Sequence, residues 1–197
     1  MNPARRHWLA GAAALCALSP AVRAAPGAPS GARLAATASP DLSARFVPVA
    51  PDRATPPPLV LADLQGRSHD LADWRGQVLV INFWATWCAP CLAELPTLEL
   101  LQARREGAGL TVITVNYGES PERVVEFVQR MGMELPVLLD AFHRVRYDWH
   151  VRALPTTFVV DRKGRLRYVV RGELDWTADE VLARLDALTA ERADERA

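Results

Sequence analysis

Cys88 and Cys91 stand two residues apart in Trp87-Cys88-Ala89-Pro90-Cys91, directly after the apolar run VLVINFW. Such a pair at a strand-to-helix junction reads as a redox motif. The first thiol, Cys88, falls at or just before the helix N-terminus. Unpaired backbone N–H groups and the helix dipole favour negative charge there, which lowers the thiol pKa and makes Cys88 the nucleophile. Cys91 lies one turn further on the same face, close enough to form the disulfide and more buried. It would resolve a mixed disulfide by attacking the Cys88 sulfur from inside. Pro90 offers no N–H to the thiolate, and its ring fixes the helix entry. A structural staple does not suit the spacing, because so small a ring restrains little of the unfolded chain.

A metal site is the competing reading of the pair. Structural zinc takes four ligands, usually from two such pairs, and here there is one. His69, His143 or His150 could complete a set in principle. Soft thiolates also suit Cu(I), so a copper(I) metallochaperone using Cys88 and Cys91 stands as an alternative function. A disulfide-forming oxidant is the other.

The elements that must hold the pair are legible from hydrophobic pattern. Leu59–Leu61 reads as a short strand and Leu64-Gln65-Gly66 as a turn. VLVINFW is a continuous run rich in β-branched and aromatic residues, which marks a buried central strand. A helix follows from Cys88–Cys91 to about Arg105, kinked at Pro96 and stopped by Gly107 and Gly109. LTVITVN, residues 110–116, is a second buried strand. Ser120-Pro121-Glu122 opens a helix to about Met131, ended by Gly132. Pro136–Leu139 is a short strand, and a helix crosses Ala141–His150. Strands at Thr156–Val160 and Arg165–Val170 are joined by the turn Asp161-Arg162-Lys163-Gly164. Thr177-Ala178-Asp179-Glu180 reads as a capping box for a last helix to about Thr189. Alternating strands and helices followed by an antiparallel pair imply an α/β fold: a mixed central sheet with helices on both faces.

The chain has 197 residues, zero formal net charge, 50% hydrophobic and 23% charged residues. That suits one domain with a substantial core plus appended sequence. Balanced charge gives no support to a nucleic-acid partner, which demands a basic excess. Residues 1–24 read as a cleavable signal peptide: Arg5 and Arg6, an apolar run from Trp8 to Leu18, then Val22-Arg23-Ala24 as the cleavage site. Arg5-Arg6 also fits a twin-arginine signal, so either the general secretory or the twin-arginine route is expected. Leu15 stands before Cys16 where lipidation wants a small residue, and Cys16 leaves with the signal. Residues 25–57 are rich in Ala and Pro; eight of the fifteen prolines lie between 25 and 58, so a flexible linker is expected. The folded domain is placed at 58–190, with a charged tail at 191–197.

VLVINFWATWCAPCLAELPTLELL, with LPTTFVVDRKGRLRYVVRGEL downstream, resembles the TlpA/ResA-type thioredoxin-like thiol–disulfide oxidoreductases of bacterial envelopes. The resemblance spans about Pro58 to Leu188. It implies a thioredoxin-like fold with an extra N-terminal strand region and a central strand–helix insertion. It implies that Trp87 flanks and shields the pair, and that Pro155 is a cis-proline facing the disulfide. Pro155 would keep a backbone N–H away from the sulfurs, while Leu154 offers its backbone to a substrate peptide. It places Glu94 near the thiols, where a carboxylate raises thiol pKa. Asn82 departs from ordinary thioredoxin, which has a buried Asp there; Asn cannot act as a base, which leaves Glu94 as the nearest candidate.

Ala89-Pro90 resembles the reducing thioredoxin pattern more than the Pro-His of strong oxidants. The expectation is a periplasmic, monomeric reductase of protein disulfides, without cofactor or metal. A membrane thiol donor of the DsbD/CcdA type would keep it reduced. Its substrates would be apocytochrome c or copper-assembly proteins of oxidases. An isomerase fits less well, because no dimerisation domain precedes the fold.

Overall fold

A computed structural model describes residues 45–105 and 107–191. The expected signal peptide, most of the expected linker and the charged tail after Glu191 lie outside the described residues. Among the described residues eight strands form one mixed sheet. They are β1 (Phe46–Pro48), β2 (Val60–Asp63), β3 (Ser68–Asp70), β4 (Val78–Trp84), β5 (Leu110–Asn116), β6 (Val137–Leu139), β7 (Thr156–Val160) and β8 (Leu166–Arg171). The spatial order is β1-β8-β7-β4-β5-β6-β2-β3. The pairs β4–β5 and β5–β6 are parallel; the other pairs are antiparallel. The helices are α1 (Ala89–Arg105), α2 (Pro121–Met131), α3 (Arg144–Asp148) and α4 (Asp179–Ala190). This is the thioredoxin-like α/β arrangement, with β2–β3 as the N-terminal addition and β6–α3 within the central insertion.

Strand β4 is buried along its whole length, so side chains of both parities are apolar. Val78, Val80 and Trp84 belong to the core shared with α1, α2 and α4; Leu79, Ile81 and Phe83 belong to the core with Val145 and Trp149 around α3. The period of two along a strand divides them between the faces. Asn82 is the one polar residue of β4, and it shares its parity with Val80 and Trp84.

The fold departs from the sequence reading in four places. First, the folded domain starts before Pro58. Phe46–Pro48 pairs with Tyr168–Val170, and Phe46 is 1% exposed against Tyr168 and Trp176. One aromatic in a Pro-rich span was enough to anchor an edge strand, where Pro48 costs no ladder bond. Second, Leu64-Gln65-Gly66 closes a hairpin, and polar Ser68–Asp70 is its return strand. Third, Thr177 does not cap the last helix. Its N–H and hydroxyl both bond Asp175, and Ala178 stands at the N-cap without a side-chain bond. Fourth, the helix expected over Ala141–His150 is a five-residue turn of helix, because His143 at φ 58 and His150 at φ 54 bound it in left-handed conformations. Helix α1 runs through Pro96 as one element of 17 residues.

Two hairpins share one device. In Asp63-Leu64-Gln65-Gly66-Arg67 and Asp161-Arg162-Lys163-Gly164-Arg165, the Asp carboxylate accepts backbone N–H bonds from the residues two and four places on, and the Arg Nε returns to it. Gly66 and Gly164 sit at φ 79 and 77, which a side chain would strain.

Phe46→Ala should cost about 3–5 kcal/mol, the usual range for emptying a buried aromatic site. Urea denaturation of the full chain measures it. A loss under 1 kcal/mol would show that the edge strand adds nothing to the domain.

Candidate active site

The strand β4 ends at Trp84, and the chain turns through Ala85-Thr86-Trp87 into α1. The Cys88 N–H bonds the Ala85 carbonyl at 3.1 Å, and the Cys88 carbonyl accepts the Leu92 N–H at 3.1 Å. Cys88 therefore stands at the N-cap of α1. Its sulfur lies 3.3 Å from the Cys91 backbone nitrogen, a donor that would favour a thiolate. Cys88 and Cys91 are joined as a disulfide. Cys88 is 5% exposed and Cys91 fully buried, in the order expected for an attacking and a resolving sulfur. Ala89 and Pro90 fill the first two helical positions, where a missing N–H costs nothing.

Trp87 is 61% exposed, which excludes a core role and leaves it as an apolar surface beside the pair. The Leu154–Pro155 peptide bond is cis, as the resemblance implies. Leu154 packs against the core cluster that contains both cysteines, and Pro155 O accepts the Gly172 N–H at 2.9 Å.

Glu94 is 1% exposed, one turn beyond Cys91, and not a surface residue. Its Oε1 accepts Asn82 Nδ2 at 2.6 Å; its Oε2 accepts the Leu174 N–H at 3.1 Å and Trp176 Nε1 at 3.3 Å. Burial pushes the carboxyl pKa up to about 7, against the lowering effect of those bonds, and the Glu173 charge adds to the rise. A buried carboxyl poised near neutrality can hold or release a proton next to a thiol exchange. Asn82 Nδ2 also donates to Thr157 Oγ1 at 2.9 Å, while Asn82 Oδ1 is buried without a partner. An amide turned end for end would present that oxygen to a protonated Glu94, so Asn82 can serve either protonation state.

Sequence reasoning missed Glu119. Its Oε2 accepts the Thr86 N–H at 2.7 Å and Asn116 Nδ2 at 2.9 Å; its Oε1 accepts the Thr86 hydroxyl at 2.6 Å and pairs with Arg123 Nε at 2.9 Å. Burial pushes this carboxyl up, but the bonds from Thr86 and Asn116 and the Arg123 charge outweigh it and hold it below its ordinary range. The carboxylate thus pins the loop two residues before Cys88 to the end of β5. The signal was an acid placed at the mouth of a parallel strand, in Asn116-Tyr117-Gly118-Glu119. Gly118 is fixed by packing: a Cβ there would lie 1.6 Å from the His143 ring.

Two of the histidines weighed as ligands are engaged by other neighbours. His69 bonds Asp63 and stacks on Trp74, and His143 lies against Gly118 and Tyr117. Among the described residues no group of three or more His, Cys, Asp or Glu is placed to hold a metal ion.

A thioredoxin-like sheet with a Cys-x-x-Cys pair at a helix N-cap and a cis-proline just before β7 defines a thiol–disulfide oxidoreductase. Residues 50–169 match the model of the AhpC/TSA family, and the chain belongs to that family. It is 35% identical over 135 residues to the thiol-disulfide oxidoreductase ResA of Geobacillus thermodenitrificans, covering 68% of this chain and 76% of that protein. It is 36% identical over 118 residues to ResA of Bacillus subtilis, covering 60% of this chain and 66% of the relative. Among solved structures, a thiol:disulfide interchange protein DsbE of Chlorobium tepidum superposes with TM-score 0.65 at 25% identity, over 71% of this chain and 99% of that one. A secreted thiol-disulfide isomerase of Corynebacterium glutamicum gives 0.66 at 26%, over 78% and 96%.

Two outcomes are expected here. Below about pH 4.5, the ordinary value for Glu, Glu94 is protonated in the folded and unfolded states; as pH rises to about 7 only the unfolded chain ionises, so this group's contribution to stability is lost through that window. Glu94→Gln should flatten that slope in urea midpoints of the oxidised protein taken from pH 4 to 8; parallel curves would mean that Glu94 does not titrate there. Glu119→Ala should cost about 1–3 kcal/mol by stranding the Thr86 N–H. It should also slow disulfide exchange more than Glu119→Gln does, and an unchanged exchange rate would leave the carboxylate a strut only.

Proposed function

We propose that the protein is a reductase of protein disulfides outside the cytoplasm, with Cys88 as nucleophile and Cys91 as resolving thiol. The observation that carries this reading is the placement of Cys88 at the N-cap, backed by a fully buried Cys91 one turn on. In the reduced protein the Cys88 thiolate attacks a substrate disulfide, forming a mixed disulfide and expelling one substrate thiolate. Cys91 then attacks the Cys88 sulfur. The second substrate thiolate leaves, and the enzyme holds the Cys88–Cys91 disulfide. Two electrons have passed to the substrate, and its two thiolates take up two protons.

Glu94 takes the proton that Cys91 must lose before it attacks. Its elevated pKa, about 7, suits that exchange near neutral pH. The resemblance of the motifs around Cys88 and Pro155 is what suggests apocytochrome c or copper-assembly proteins as substrates, and a membrane thiol donor that returns two electrons. Export by the segment at residues 1–24 would place the protein in the periplasm. The described residues contain no helix long and apolar enough to cross a membrane. The backbone of Leu154, which has no hydrogen-bond partner among the described residues, is offered beside Pro155 to an extended substrate strand, and exposed Trp87 adds apolar surface next to Cys88.

Cys88→Ser should abolish insulin-disulfide reduction, and Cys91→Ser should accumulate mixed disulfides with partners. The potential of the pair, measured in glutathione or dithiothreitol buffers, should lie at or below about −220 mV. A value near about −120 mV would reverse the electron flow and overturn the reductase reading. Full activity in Cys88→Ser would overturn the assignment of the nucleophile.

A further inference from the structure

Beside the cis-proline loop, on the sheet face that carries α3, the surface opens into a groove of about 570 Å³. Its walls are apolar: Val47, Val49, Trp149, Phe158, Leu166 and Val169. Its rim carries two guanidinium groups, of Arg53 and Arg171, and the imidazole of His150. A second hollow of about 430 Å³ adjoins it, lined by His150, Arg152, Ala153 and Arg171. The two share His150 and Arg171, so one basic edge serves both.

The cations of this edge are unspent. Among the described residues neither the Arg152 nor the Arg171 guanidinium has a hydrogen-bond or ion-pair partner, and both side chains are exposed. Arg53 meets only Asp52, at 3.9 Å and with both groups in solvent. Elsewhere on the same strand Arg167 is engaged by Asp161 and Glu191, as is the neighbouring Arg165. Asp148 is the one acid lining the groove. His150, at φ 54, turns the chain out of α3 into the cis-proline loop and leaves its ring at the rim.

The edge stands at the end of the sheet that bears the redox pair. Phe83, Thr156 and Arg171 are successive cross-strand neighbours on β4, β7 and β8. Adjacent strands lie about 4.8 Å apart, so Arg171 is two strands, roughly 10 Å, from the residue that leads through Trp84 into the Cys88 loop. Arg152 precedes Leu154 by two residues. A substrate strand paired at Leu154 advances about 3.3 Å per residue, which carries the residues flanking its cysteine past both cations.

We propose that this groove binds a segment of the disulfide substrate that carries carboxylates next to an apolar side chain, and so selects acidic sequence around the target cysteine. The inference rests on the reductase reading above. The apolar walls take the side chain, and Arg152, Arg171 and His150 meet the carboxylates. The chain's own segments outside the described residues do not match the site in charge. Residues 25–44 contain one acid, Asp41, against one base, Arg33; residues 192–197 contain Asp194 and Glu195 against Arg192 and Arg196.

The test uses two disulfide-cyclised peptides, identical except for Glu-Leu-Glu or Lys-Leu-Lys after the second cysteine. The full mature chain reduces them with dithiothreitol as electron source. At low salt the acidic peptide should show a kcat/KM about tenfold higher, carried by KM, as two or three exposed ion pairs allow. The ratio should fall toward unity as salt rises. In the double variant Arg152→Glu, Arg171→Glu the preference should invert. The faster turnover of the lysine peptide would itself show that the variant is folded. Equal kcat/KM for the two peptides in the unmodified protein, or a double variant that keeps the acidic preference, would overturn the inference while the reductase reading stands. A protein that reduces neither peptide nor insulin would overturn the reductase reading and this inference with it.

Discussion

The carboxylate of Glu94 is the point at which three parts of the molecule are tied together. Asn82 reaches it from the centre of β4, Leu174 and Trp176 reach it from the segment between β8 and α4, and Glu94 itself hangs from α1 one turn past Cys91. A carboxyl in such a place must be satisfied, because an unpaired buried polar group costs more than a bond returns. Three donors converge on two oxygens, an acceptor-only pattern that fits the anion. Burial nevertheless holds the pKa up to about 7. Burial outweighs the bonds, and a carboxyl whose pKa is brought to about 7 changes protonation at little cost near neutral pH. That property ties the architecture of the core to the proton traffic of a dithiol.

The loop before Cys88 depends on a second buried acid with the opposite bias. Glu119 is surrounded by donors and a cation, so it stays ionised and grips the Thr86 backbone. One carboxyl is free to exchange a proton, and the other is held as a fixed charge. The difference lies in the Arg123 guanidinium and in the degree of burial, not in residue type. Positioning the thiol through a rigid loop and tuning it through a titrating neighbour are thus assigned to separate residues.

Much of this could be read from the chain. The buried strands were visible because β4 and β5 are apolar on both faces, and the redox pair was visible because its spacing matches one helical turn. Pro155 was found through the resemblance, and its cis bond agrees. Phe46 and Ser68–Asp70 were not found. A three-residue edge strand makes its case through partners far along the chain, and polar residues that only return a hairpin carry no hydrophobic period. The repeated Asp-x-x-Gly-Arg turn was the available signal for the second. The Thr177 capping box failed because a nearer acceptor, Asp175, took the hydroxyl.

The sequence by itself determined the class of chemistry and the elements that carry it. Both are local: thiol spacing, strand periodicity and helix starts are properties of neighbouring residues. Tertiary structure alone decided which acids serve the site and in what state, because pKa depends on burial and on donors brought from distant segments. Glu94 became a buried, near-neutral carboxyl only when Asn82, Leu174 and Trp176 closed around it. Arg171 joined His150 and Arg152 only when β8 paired with β7 and brought the three to one edge.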